Sequence, residues 1–171
     1  EKARINEKLT ESTAAYEYYL RGNMYDNAGH TVDNIRASIA EYDRAVALDP
    51  DFAEAHAQLG KMHAHMKWYK YDLVSSRMEK SKWSIDRAME LKPNNAIVRT
   101  ARGVYNYHGF REYGKAMADF TFALDLEPVD CAGIAQVRAT TQLHGITIEG
   151  TRFAANLNQA HQVAVFITKE L

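Results

Sequence analysis

Seven histidines and a single cysteine are the residues of this 171-residue chain with the most chemistry to offer. His63-Ala64-His65 forms a His-x-His pair, and His56 lies seven residues before His63. On a helix, residues two apart point to different sides, so His63 and His65 do not readily share a metal ion. His56 and His63 lie two turns apart on one face, and Gly60 stands between them where a third ligand would be needed. No His-Glu-x-x-His and no cysteine pair occurs. His108 and His144 are expected at helix ends, where a partly charged imidazole complements the helix dipole. Cys131 lies near a helix start, which lowers a thiol's pKa, but a nucleophile also needs a base, sequence does not show which histidine lies near it, and a small packing residue is the simpler reading. No Gly-x-Ser-x-Gly, phosphate-binding or dinucleotide-binding loop is present, and Gly145–Gly150 reads as a turn. The expectation is therefore no catalytic constellation, no cofactor and no metal.

The elements that hold these residues read as helices throughout. Three prolines and nine glycines are few for this length, and Ala, Leu, Met, Glu and Lys are plentiful. A net charge of −1 implies no bulk attraction to nucleic acid or to an anionic membrane. No apolar run approaches bilayer length and no signal peptide is visible, so the expected location is cytoplasmic. The chain starts at Glu1 rather than Met and ends inside a helical run, which reads as a piece of a longer protein.

The stretch Ala45–Gly60 sets the pattern. One amphipathic helix ends at Leu48, Asp49-Pro50 stops it, and a new helix starts with Asp51 as its expected cap. Similar corners recur at Pro93 and Pro128, 43 and then 35 residues on. A period in this range signals a helical-repeat array. Eight helices are expected, at about 13–27, 34–48, 53–68, 76–91, 96–108, 112–126, 130–143 and 151–169. Their expected caps are Ser12 or Thr13, Asp33, a Ser76/Glu79 box, and Asn94 or Asn95. Between the third and fourth lies Lys67-Trp68-Tyr69-Lys70-Tyr71. Lysines alternating with aromatics can bind single-stranded nucleic acid, but packing against a neighbouring repeat is preferred for so short a run.

These pairs resemble tetratricopeptide repeats. The third unit fits best, with Gly103 in its first helix, Ala116-x3-Phe120-x2-Ala123 in its second and Pro128 closing it. The second has Gly60, Ser81, Ile85, Ala88 and Pro93, and the first has Gly22, Ser38, Tyr42, Ala45 and Pro50. Unit boundaries fall at about 13–50, 51–93, 94–128 and 129–171, the last a degenerate or capping pair with Arg138 at the glycine position. The resemblance implies a single all-α domain, a right-handed superhelical solenoid that binds a protein or peptide in a concave groove.

Mapping the family's groove positions gives Tyr19 and Asn23, then Ala57, Lys61 and Ala64, then Thr100, Val104 and Tyr107, and then Ala135, Ala139 and Gln142. That wall suits an apolar or helical peptide, and no carboxylate-gripping clamp is implied. Leu9–Gly22 is similar to the entry into repeat regions of bacterial multidomain signalling proteins, which implies a regulatory setting. The alternative function is self-association into a homodimer, or docking on absent domains, through Trp68, Tyr69 and Tyr71. The resemblance implies neither an enzyme nor a binder of nucleic acid or membrane.

Overall fold

The computed structural model describes residues 8–126. Six helices follow one another: α1 Thr13–Asn27, α2 Val32–Leu48, α3 Ala53–Trp68, α4 Ser75–Leu91, α5 Ala96–Phe110 and α6 Tyr113–Leu126. Among the described residues there is no strand. The expected helices at 130–143 and 151–169, and with them the fourth unit, Cys131, Gln142 and His144, lie outside the described residues.

The helices pair in sequence order. α1 packs on α2, α3 on α4 and α5 on α6, while α3 also packs on α5, and α2 and α4 each meet the helix that follows. Each hairpin is closed by one repeated contact. A Cβ placed on Gly22 would fall 2.4 Å from the Tyr42 ring, one on Gly60 would lie 2.7 Å from Ile85 Cγ1, and one on Gly103 would lie 2.6 Å from the Phe120 ring. In the first two hairpins a buried serine one turn earlier bonds the glycine's own carbonyl: Ser38 Oγ donates to Gly22 O at 3.0 Å and Ser81 Oγ to Gly60 O at 2.7 Å. The serine and the small residue below it (Ala45, Ala88) keep the two backbones close. The third hairpin has Ala116 and Ala123 at these positions, both buried.

The corners between hairpins also repeat. At the first, Asp49 N–H bonds back to Ala45 O, and Phe52 N–H bonds Asp49 O. At the second, Lys92 N–H bonds Ala88 O, and Asn95 N–H bonds Lys92 O.

Several caps differ from expectation. Ser12 and Asn95 cap α1 and α5 as expected, accepting from Ala15 N and Val98 N. α2 is capped by Thr31 rather than Asp33, because its hydroxyl reaches Asn34 N at 3.2 Å and leaves Asp33 inside the first turn. α3 starts after Phe52 with no side-chain cap, since Asp49 Oδ1, not Asp51, turns the corner by accepting Asp51 N–H. α4 starts at Ser75, so the Ser76/Glu79 box falls inside the helix, and Asp72 Oδ1 accepts Val74 N–H instead. α3 and α5 both run into left-handed residues that are not glycine, Lys70 at φ 60° and Arg111 at φ 57°. The next amides bond back to Met66 O and Asn106 O, closing the helix ends.

Candidate functional site

α1, α3 and α5 lead the three hairpins, and they carry the residues mapped to the groove. Tyr19 is buried, its ring 4.9 Å from Phe52 and 5.9 Å from Tyr42. Asn23 is half-buried and its Oδ1 accepts the Tyr42 hydroxyl at 2.7 Å. Lys61 reaches from α3 to Asp26 on α1, with Nζ 2.8 Å from Oδ2. Thr100 is half-buried, whereas Val104 and Tyr107 are buried against Ala116 and Phe120. Asn23, Lys61 and Thr100 therefore retain access to solvent, whereas Tyr19, Val104 and Tyr107 belong to the buried core.

Charged groups brace these helices from the buried side. Glu54 is fully buried on α3, and its Oε1 accepts from Lys92 Nζ at 3.0 Å and Asn95 Nδ2 at 2.8 Å across the second corner. Asp119 on α6 is held by Arg99, Arg102 and Asn106 of α5, with Arg102 Nε at 2.8 Å.

The aromatic stretch at the end of α3 is stitched to both neighbouring hairpins. Trp68 stacks on His108 with ring centroids 4.5 Å apart and lies 5.0 Å from Tyr107, while Lys67 Nζ donates to Gly109 O. On the other side the Tyr69 hydroxyl lies 2.9 Å from His30 Nδ1, and the Tyr71 hydroxyl donates to His30 O. Burial pushes the Tyr69 hydroxyl up to about 12. Of the three aromatics mapped to an association patch, Trp68 and Tyr69 are half-buried and Tyr71 is exposed.

A histidine row runs along the same edge. His65 lies 4.6 Å from His30 and 4.9 Å from His108, centroid to centroid. His108 is not the charged helix-end residue expected from its sequence position. α5 continues past it to Phe110, Trp68 covers it, and burial pushes its pKa down to about 3, so it is neutral. Burial likewise holds His65 well below the ordinary histidine value, and burial together with Arg77 holds His63 at about 4. His63 and His65 do point to different partners: His63 Nδ1 faces Arg77, and His65 faces His30 and His108.

Sequence reasoning compared histidines within one helix and so missed Asp26 and His30. Their four-residue spacing at the end of α1 was the available signal, and His65 joins them from α3. One ligand atom from each lies within 4.8 Å of the other two.

Three antiparallel helix pairs, each closed by the same small-against-large contact, define a helical-repeat protein. Residues 34–66, from early α2 to near the end of α3, match the family model described as TPR repeat. With the repeated hairpins, that match supports the tetratricopeptide-repeat family. No curated protein matches the chain. No helix among the described residues is long and apolar enough to cross a membrane.

Proposed function

We propose that this chain is a protein-interaction module that holds an apolar or helical peptide against the face formed by α1, α3 and α5. TPR repeats generally mediate protein–protein interactions and are typically non-enzymatic scaffolds. The observation that carries the reading is the packing of α3 on α5, which sets the leading helices of successive hairpins side by side. A single hairpin cannot bury its apolar face, and stacked hairpins build a continuous wall. On this reading Asn23, Lys61 and Thr100 meet the ligand, while Tyr19, Val104 and Tyr107 shape the surface. The array is a right-handed superhelix, and the parent is a bacterial signalling protein.

The test is selection of peptides from a random display library on the intact chain, followed by calorimetric titration. Thr100→Arg and Asn23→Arg place a long cation on the wall and are expected to weaken a selected peptide at least tenfold with helicity unchanged. Peptides whose affinity ignores both substitutions would overturn the groove assignment.

Self-association is the second reading, and a specific observation favours it. Tyr71, Leu73 and Val74 are exposed in one short segment, Leu73 by 70 %. Contiguous exposed apolar residues mark contacts. Sedimentation equilibrium decides: a dimer that Leu73→Ser with Val74→Ser returns to monomer makes this segment the interface, and a monomer at all concentrations removes the reading.

A further inference from the structure

Where the first hairpin meets the second, Asp26 closes α1, His30 follows in the connecting turn, and His65 reaches over from α3. Asp26 Oδ1 and His30 Nε2 are 3.4 Å apart. Ligands about 2.0–2.1 Å from a tetrahedral zinc lie roughly 3.3 Å from one another, so this pair already stands at the separation of two ligands on one ion. The third ligand atom, from His65, lies within 4.8 Å of both.

Two further features point to a ligand. His65 and His108 are each 5 % exposed, and His65 Nδ1 and both nitrogens of His108 are buried with no hydrogen-bond partner. Polar nitrogens shut away unpaired are costly unless something else satisfies them. The outer contacts also suit a metal site. With Nε2 of His30 turned to the ion, its Nδ1–H donates to the Tyr69 oxygen at 2.9 Å, which fixes the tautomer and the ring. Asp26 keeps Oδ2 for Lys61 and leaves Oδ1 on the His30 side.

We propose that Asp26, His30 and His65 bind one divalent transition-metal ion, with zinc the ion whose ligand preferences they match. Two imidazoles and one carboxylate are a donor set this class of ion accepts, and three protein ligands leave a position for water. The ion clips α1 to α3 and so fastens the first hairpin to the second. Lys61 is the opposing charge at the site, since a cation 2.8 Å from the carboxylate competes with the metal.

The experiment uses the full chain without an affinity tag, titrated with Co²⁺ and followed by its visible absorption, with Zn²⁺ competition and thermal melting alongside. One equivalent is expected to bind, and zinc to raise Tm. His30→Gln and Asp26→Asn should each weaken Co²⁺ at least tenfold with helicity retained. Tyr69→Phe should weaken it about tenfold. Lys61→Met, which removes the competing charge and no ligand, should tighten it several-fold. His56→Gln and His63→Gln should leave the Co²⁺ affinity unchanged. A chain that binds no Co²⁺ even as Lys61→Met overturns the proposal and leaves Asp26 as the partner of Lys61 alone. Binding that survives both ligand substitutions, or that is lost with Cys131→Ser or His144→Gln, places the metal elsewhere and overturns it equally.

Discussion

His56 shows how one side chain on α3 acquires a job its sequence position does not announce. It is 2 % exposed, with Nε2 donating to Pro50 O at 3.0 Å and its ring 5.5 Å from Trp83. It thereby ties the first turn of α3 to the corner before it. Desolvation lowers its pKa from the ordinary value. The sign follows from linkage. The unfolded chain takes up this proton first, so stability present at neutral pH is lost as pH falls below about 6.5. His56→Gln should make the fall in Tm between pH 7 and 5 shallower, by at most one proton's worth, about 1.4 kcal/mol per pH unit. An unchanged slope would mean that the ring titrates alike in both states. Side chains of this kind were the least legible in the sequence. The helix carrying His65 could be read from periodicity, but the rings placed beside it come from residues 30 and 108, and their approach is set by how hairpins stack.

At the scale of helices the sequence was far more informative. Helix spans follow from apolar spacing and proline stops, which act within a few residues, and the six described helices start and end within two residues of expectation. Caps were harder, because several neighbouring polar groups can each turn the chain into a helix and geometry decides among them. Thr31 over Asp33 and Asp72 over Ser76 are two such contests. Gly60 was legible as a close-approach position, and its surroundings give a sharper test. A methyl there meets Ile85 Cγ1 at 2.7 Å and the Ser81 carbonyl at 3.0 Å. Gly60→Ala should destabilise by about 1–3 kcal/mol, and Gly60→Leu by more. Adding Ile85→Ala should cost less in the Gly60→Ala background than in the native one, because the two changes share one space. Denaturant melts of the four proteins measure this, and strict additivity would mean that the helices separate instead of sharing that space.

The described helices form a chain of neighbours, with α3 in contact with the hairpins on both sides. An array of this kind can open unit by unit. The aromatic edge from Tyr69 through His30 and His65 to His108 and Trp68 works against that, since it crosses all three hairpins. Trp68→Ala removes one end of it and should cost about 1–3 kcal/mol, from lost burial and lost ring contact. Hydrogen exchange should then quicken in α5 and α6 while α1 and α2 keep their protection, whereas uniform quickening would mean that Trp68 serves the whole fold equally. The sequence favours packing of this short aromatic run against a neighbouring repeat over a surface contact, and the stack on His108 shows which neighbour Trp68 meets. The closures inside the hairpins carry a different lesson, about variation. Within this one molecule the same gap has been filled by Tyr42, Ile85 and Phe120, while the opposite wall has remained glycine each time. Tolerance lies on one side only, so a lengthened array could draw new second helices widely, provided each leading helix keeps its missing methyl.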